Sequence, residues 1–423
     1  MWAGSMLRSL VPWLLFDSAS ATVTVEGARS VEACLVAAAV QAADGEPTVC
    51  TLASGVLRPS VSTTTKSESS VPDWALQLRG PVTVRGANGP TPTVLSGALA
   101  LPSGAWELDA AANGRPIYVA TLPDGLRTTE AGTPPVQVFV DDTFVSEARW
   151  PNANITNILS LDHWAVTANG SRLGTIVDRP TGPTAVGGVS GLAASGIDWS
   201  GARATLNVGD RFTTYVRIVK NHSAGSDRFN YNANLGPGPG APKAGDPKWG
   251  EGGRFWLSGK RAALDCPGEW FLDQATHKLY LWAPDSKPPG ARVSVRVKDY
   301  CADVTGAPGA PFTLQHVAMH SCTFRLRKCN GCLIHDVNLT YPSYDPTIKI
   351  RNVPMGPPPN TTLLEGNGSK ILDLQVNHSF LATIVFHTQV RLRLATETAC
   401  LCTCAFYSCG IDVGTCGMQT TQA

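Results

Sequence analysis

Residues 333–341 read LIHDVNLTY and residues 372–380 read LDLQVNHSF, and the two stretches share an order of apolar and polar positions. Aligning them places Val337 on Val376. The segment HVAMHS places Val317 about 20 residues before Val337, which is half the interval between the two longer stretches. Repeats of about 20 residues are the expected length of one coil, or rung, of a parallel β-helix.

This alignment also predicts which way each side chain faces. Residues 347–352, TIKIRN, are expected to form the strand between the two aligned ones. Side chains alternate between the two faces of a strand. The core-facing set is then predicted to be Leu333, His335, Val337 and Leu339. The outward set is predicted to be Asp336, Asn338, Asp373, Gln375 and Asn377.

The rest of the chain differs in texture along its length. Residues 22–115 begin with a strand and a helix that has Val31 and Leu35 on one face, followed by short β runs punctuated by glycine. This order predicts first rungs capped by a helix, because an uncapped coil would expose an unpaired edge. In residues 116–299, alternating runs and long loops predict an inserted antiparallel domain, and rungs return over residues 300–390.

The N-terminus predicts export. Residues 1–21 place Arg8 before an apolar run and end in the cleavage-type triplet Ala-Ser-Ala, so we expect a signal peptide and a secreted, extracellular protein. No later stretch is apolar enough to predict a membrane span. The net charge of +1 offers no basic field for nucleic acid. Glycosylation sequons occur at Asn154, Asn169, Asn221, Asn338, Asn360, Asn367 and Asn377.

The 12 cysteines suit an oxidising compartment. Cys34 and Cys50 are isolated from the others and are expected to close a short loop by a disulfide. Cys329 and Cys332 form a C-x-x-C pair without the second pair of a zinc finger, so no metal site is expected. The sequence also lacks a phosphate-binding loop and a zinc-protease motif, and we expect no cofactor.

The segment 391–423 is rich in cysteine and shows neither rung spacing nor an amphipathic cap. We expect it to pack poorly and the chain to be a truncated or mispredicted product. A complete transcript would then continue with further rungs that carry additional acids.

Residues 264–285 read LDCPGEWFLDQATHKLYLWAPD. This pattern predicts a β-hairpin with a Pro-Gly turn before its first strand. Residues 254–285 resemble the hairpin of secreted right-handed parallel β-helix proteins. Residues 136–152, VQVFVDDTFVSEARWPN, resemble another part of the same proteins. These relatives include xylosidase-like and fucosidase-like glycoside hydrolases and, more distantly, pectate and alginate lyases.

The resemblance completes the expected fold and function. The fold class is all-β, a right-handed parallel β-helix interrupted by an antiparallel β-rich inserted domain, with a short N-terminal capping helix. The resemblance implies a polysaccharide or oligosaccharide partner, bound in a groove along the parallel sheets. The expected activity is that of a glycoside hydrolase. Two alternatives remain open, a non-catalytic glycan-binding or cell-surface β-helix protein and a polysaccharide lyase.

Hydrolysis of a glycosidic bond requires two carboxyl groups, and the candidates are Asp336, Asp373 and Glu365. In the alignment above, Asp336 and Asp373 stand two residues and two rungs apart, about 12 Å, which is too far for either mechanism. The competing interpretation is that these two carboxylates form surface ion pairs with basic residues on the strand between them. Candidate substrate-binding residues are Tyr344, Asp345, Lys349 and Arg351. The hairpin's Glu269 and Trp270 are expected to be structural, with Trp270 packing the insertion against the coil.

Overall fold

The computed structural model describes residues 22–41, 46–59, 78, 80–123, 137–153, 161–179, 191–209, 215–233, 249–298, 300–306 and 309–342, and strands at 362–364, 370–377, 384–386 and 405–406. Within these residues the chain is mostly β and has one α-helix, which confirms the all-β prediction. No helix among them is long and apolar enough to cross a membrane.

The elements follow in chain order. The first part contains β1 (Val23–Ala28), α1 (Val31–Gln41), β2 (Thr48–Leu52), β3 (Gly55–Leu57), β4 (Val82–Arg85), β5 (Thr93–Ser96), β6 (Ala98–Ala100), β7 (Glu107–Leu108) and β8 (Ile117–Thr121). The middle part contains β9 (Val138–Val140), β10 (Thr143–Glu147), β11 (Arg149–Trp150), β12 (Ala165–Val166), β13 (Thr175–Val177), β14 (Arg203–Asn207), β15 (Tyr215–Asn221), β16 (Arg228–Tyr231), β17 (Arg254–Ser258), β18 (Glu269–Asp273), β19 (Lys278–Trp282) and β20 (Val293–Arg296). The last part contains β21 (Tyr300–Thr305), β22 (Phe312–His320), β23 (Thr323–Arg327), β24 (Leu333–Thr340), β25 (Thr362–Leu364), β26 (Lys370–Asn377), β27 (Ile384–Phe386) and β28 (Ala405–Phe406).

Two of the four sheets are parallel throughout. The long parallel sheet has the order β1-β2-β4-β22-β24-β26, with β3 and β5 at its side, and the short parallel sheet has the order β21-β23-β25-β27-β28. One buried apolar cluster joins both sheets to the inner face of α1, through residues such as Leu35, Val84 and Phe324. The helix begins at the Ser30 hydroxyl, which accepts a hydrogen bond from the Ala33 N–H at 3.1 Å.

Strand β28 lies within residues 391–423, where the sequence predicted no rung spacing. It pairs in parallel with β27, so the short parallel sheet extends into that segment.

The two middle sheets are largely antiparallel. The eight-stranded antiparallel sheet has the order β6-β20-β9-β10-β18-β19-β8-β7, and its strands β10 and β18 pair in parallel. The seven-stranded sheet has the order β11-β17-β14-β15-β16-β13, with β12 also on β17. The predicted hairpin is β18–β19, in register from Glu269↔Trp282 to Asp273↔Lys278.

Three disulfides hold the parallel sheets. Cys34 and Cys50 join α1 to β2, as expected from their isolation in the sequence. Cys301 and Cys322 join β21 to the residue before β23, and the C-x-x-C pair Cys329 and Cys332 is itself a disulfide.

The register of strands β22, β24 and β26 agrees with the sequence prediction in one place and differs in another. Val317 pairs with Val337, as predicted. However, β24 pairs directly with β26, and Val337 opposes Leu374 rather than Val376. The predicted alignment and its intermediate strand were therefore wrong. The shared apolar pattern could not distinguish the two registers, because a two-residue slip along a strand leaves every side chain on the same face of the sheet.

The predicted side-chain orientation was also wrong for the residues of β24 that precede Asp336. Ile334 is fully buried whereas Leu333 and His335 are only half-buried, and beyond this point Val337 and Leu339 are buried as predicted. Asp336 has a φ of 49°, in the left-handed region, and this single residue turns the strand and resets the alternation.

A buried arginine connects the antiparallel part to the parallel sheets. Arg296, at the end of β20, is 3% exposed and donates hydrogen bonds to Gln137 Oε1 at 3.1 Å, Tyr341 O at 3.3 Å and Pro342 O at 3.0 Å. Next to it, the Tyr341 ring contacts the rings of Phe139 and Phe144 from the β9–β10 hairpin. Polar and aromatic contacts thus fix the end of β24 against this hairpin.

We predict that Arg296→Met lowers the free energy of unfolding by about 3 kcal/mol, because three buried acceptors lose a charged donor. Arg228→Met is the control, since Arg228 is exposed and forms a surface ion pair with its neighbour Asp227, and a change within about 0.5 kcal/mol is expected there. Urea unfolding measures both. Equal, small losses in the two variants would contradict the role of Arg296.

Candidate active site

A column of left-handed backbone positions crosses the long parallel sheet. His316 in β22 has a φ of 56° and Asp336 in β24 has a φ of 49°. His316 lies between residues that pair with the neighbours of Asp336, namely Gln315↔His335 and Val317↔Val337. On the β4 side the column meets Gly86, where a Cβ atom would come within 2.0 Å of the His316 carbonyl oxygen. Only glycine fits there.

The side chains of the column face solvent. His316 Nδ1 and Asp336 Oδ2 are 2.8 Å apart, and the two side chains are 49% and 60% exposed. The His335 ring packs edge-on against the His316 ring, with centroids 5.4 Å apart. With Nδ1 protonated, His316 donates to the carboxylate and orients it. The result is an accessible carboxylate held by an imidazole.

The register places the backbone of a second acid beside this column. Asp373 lies between Leu372 and Leu374, the residues that pair with His335 and Val337, so it occupies the position next to Asp336 on the adjacent strand. Equivalent positions on neighbouring strands are about 4.8 Å apart. The separation of about 12 Å predicted from the sequence was therefore wrong. This backbone spacing is close to the 5–5.5 Å that retaining glycosidases require between their two carboxyl groups.

The short parallel sheet carries a different charged group. Asp303 on β21 accepts hydrogen bonds from Arg325 Nε at 2.9 Å and from Arg327 at 3.4 Å, and Arg325 lies 4.3 Å above the Tyr300 ring. In the described strands of this sheet Asp303 is the only carboxylate, so the second acid of a glycosidase is not found there. We therefore place the candidate active site on the long parallel sheet.

The other predicted site residues are distributed as follows. Glu365, Tyr344, Asp345, Lys349 and Arg351, with the sequons Asn154, Asn360 and Asn367 and the predicted signal peptide, lie outside the described residues. Asp373 and Asn377 lie on the backbone of β26. Asn169, Asn221 and Asn338 lie in the described part of the chain.

Trp270 does not pack as predicted. It is 2% exposed and belongs to an apolar cluster of the eight-stranded antiparallel sheet, separate from the core of the parallel sheets. Its indole N–H donates to the Val145 carbonyl at 2.9 Å. It is structural, but it joins β18 to β10 rather than the insertion to the coil.

Sequence reasoning missed His316. Its signal was present, since HVAMHS was aligned on Val317, one residue away. The residue was overlooked because an isolated histidine carries no motif, and its pairing with Asp336 depends on the register of β22 and β24.

Comparison with known proteins shows similarity in structure alone. No family model and no curated protein matches the sequence. A solved structure described as a glycoside hydrolase aligns with a TM-score of 0.50 and 12% identity, over 89% of this chain and 78% of that one. The structure of XylC in complex with xylose aligns with a TM-score of 0.30 and 10% identity, over 95% of this chain and 64% of that one. The chain therefore has a glycoside-hydrolase-like fold.

The register that places the two acids together can be tested by cross-linking. We predict that the pair Asn338→Cys and Gln375→Cys forms a disulfide, because opposed residues on adjacent strands lie at disulfide distance. The pair Asn338→Cys and Asn377→Cys, which the sequence-based alignment matched across an intermediate strand, stands about 8 Å apart and should not cross-link. Peptide mapping by mass spectrometry under non-reducing conditions distinguishes them. The reverse result would separate Asp336 from Asp373.

Proposed function

We propose that this protein is a secreted glycoside hydrolase that acts on a polysaccharide or oligosaccharide with retention of configuration. The observation that carries the proposal is the placement of Asp336 and Asp373 at equivalent positions of adjacent parallel strands. Neither the glycoside-hydrolase-like fold nor the sequence motifs identify the sugar.

The architecture supports this proposal. We propose that the long and short parallel sheets, with one core between them and α1, are faces of a right-handed parallel β-helix. Residues 116–299 would be its inserted antiparallel domain, between the cap and first rungs at 22–115 and the later rungs at 300–390. The three disulfides support secretion, because such bonds persist mainly in oxidising compartments.

The mechanism assigns different roles to the two acids. Asp336, oriented by His316, attacks the anomeric carbon while Asp373 protonates the departing glycosidic oxygen. A covalent glycosyl–Asp336 ester results. Asp373 then takes a proton from water, the water oxygen attacks the same carbon, and the Asp336 carboxylate leaves. Tyr344, Asp345, Lys349 and Arg351 follow β24 in the chain and would contact the sugar around this position.

One observation favours a second candidate, a non-catalytic glycan-binding or cell-surface protein. Asn338 is a sequon residue on β24, two positions after Asp336, and alternates with the buried Val337 and Leu339. It therefore lies on the outward side of the strand. A glycan attached there would obstruct a substrate beside Asp336.

We predict that Asp336→Asn lowers kcat/KM at least about 100-fold on the aryl glycoside that the wild-type chain hydrolyses best, because the nucleophile is lost. Asp227→Asn is the matched control, an exposed aspartate of the antiparallel part, and should retain full activity. A 2-fluoro glycoside should label Asp336 covalently, which peptide mass spectrometry detects. Inactivity of the folded wild-type protein on a broad glycoside panel would refute the proposal, and an inverted product anomer would refute its mechanism.

The occupancy of Asn338 separates the two candidates. An active hydrolase should carry no glycan at Asn338, and Asn338→Gln should leave its activity unchanged. Glycopeptide mass spectrometry of the protein secreted from eukaryotic cells measures this directly. Full occupancy, combined with glycan-array binding without turnover, would favour the binding protein.

A further inference from the structure

The two stretches of sequence that carry the family resemblance meet at one point of the fold. Strand β10 pairs in parallel with β18, with Ser146 opposite Glu269. The resembling stretch that contains β10 ends at Asn152. The Asn152 side-chain N–H donates to Asp265 Oδ1 at 2.8 Å. The turn before β18 depends on Gly268, whose φ of 88° is in the left-handed region. This turn directs Asp265, Cys266 and Glu269 toward one another.

Three metal-binding side chains converge there. One ligand atom each from Asp265, Cys266 and Glu269 lies within 4.8 Å of the others. Asp265 is exposed, Cys266 is half-buried and Glu269 is buried, so the cluster is open to solvent on one side. Cys266 forms no disulfide within the described residues. The group is thus accessible to an ion and has a thiol available to bind it.

The buried end of this cluster is incompletely satisfied. Glu269 is 1% exposed, and its carboxyl group interacts with the Asp265 N–H, at 3.3 Å from Oε2, with the Cys266 thiol and with the Arg149 main-chain N–H. Its buried Oε1 atom nevertheless has no hydrogen-bond partner among the described residues. A buried carboxylate oxygen without a partner is costly, and a cation removes that cost.

The guanidinium of the nearby Arg149 attracts Glu269 electrostatically, but its hydrogen bonds go to other groups. Arg149 donates through Nε to the Pro151 carbonyl at 2.9 Å and through Nη2 to the His163 carbonyl at 3.0 Å. Its guanidinium carbon lies 4.4 Å from the centre of the Trp256 ring. The hydrogen bonds of the guanidinium are thus directed to main-chain carbonyls.

We propose that Asp265, Cys266 and Glu269 form a binding site for a thiophilic divalent cation, of which Zn²⁺ is the natural representative. Zinc accepts thiolate and carboxylate ligands together, whereas Ca²⁺ and Mg²⁺ prefer oxygen ligands alone. Tetrahedral zinc separates its ligand atoms by about 3.5 Å, so the three side chains need close only by about 1 Å. Three protein ligands leave a fourth position for water. Asn152 holds Asp265 in place from outside the metal shell.

Titration of the full-length, metal-free protein with Co²⁺, followed by competition with Zn²⁺, tests the site. Binding through Cys266 should produce a thiolate-to-cobalt charge-transfer band in the near ultraviolet, which Zn²⁺ abolishes. Cys266→Ser should eliminate the band, and Glu269→Gln, which preserves side-chain shape, should raise the Kd at least tenfold. Asp273→Asn, on the same hairpin and bonded within its own turn, should leave the Kd unchanged.

Three outcomes would overturn the site. The charge-transfer band could persist in Cys266→Ser, which would assign it to other cysteines. Wild-type and Glu269→Gln proteins with equal near-ultraviolet circular dichroism could bind Co²⁺ equally well. Peptide mapping could find Cys266 in a disulfide with a cysteine beyond the described residues. None of these results bears on the hydrolase proposal, because Asp336 and Asp373 lie on another sheet.

Discussion

The long parallel sheet depends on a left-handed backbone position within its strands. An L-residue in this region costs about 1–2 kcal/mol, so it persists only where the surrounding structure fixes it. At His316 the cost is offset by pairing on both sides, since the first half of β22 pairs with β4 and the second half pairs with β5. The two halves of β22 thereby form hydrogen bonds with two different strands of the sheet. Because β24 has the same corner at Asp336, successive corners stack and bring their side chains into one solvent-facing column.

The corner also explains why polar chemistry can lie on a strand whose neighbours are core residues. Ile334 and Val337 are both buried although an odd number of positions separates them, because Asp336 turns the chain between them. The two buried residues hold the corner from inside, and the short side chain at the corner is exposed. Catalysis by positioning requires a reactive group, here an exposed acid, that a rigid scaffold holds in place.

The two candidate sites use opposite electrostatic conditions. Asp336 is exposed, contacts an imidazole and shares its column with the position of Asp373, so substrate can reach it directly. Glu269 is buried beside Asp265, and burial together with the Asp265 charge raises the pKa of Glu269 to about 8. Because Glu269 is buried, a nearby positive charge stabilises its carboxylate more strongly than it would in water. The His316–Asp336 pair, in contrast, is exposed and therefore accessible to a sugar. The first site is suited to chemistry and the second to holding an ion.

The sequence by itself determined the all-β class, the hairpin of β18 and β19, the helix that precedes β2 and the expectation of a disulfide between Cys34 and Cys50. Each of these rests on local pattern, turn chemistry or the isolation of two cysteines. It also provided Asp336 and Asp373 as candidates, but separated them by about 12 Å. Only the tertiary structure decided their proximity, because strand register is set by packing across the sheet and repeated apolar patterns match at more than one offset. The pairing of His316 with Asp336, and the hydrogen bond from Asn152 to Asp265, likewise depend on contacts between distant segments that local sequence does not specify.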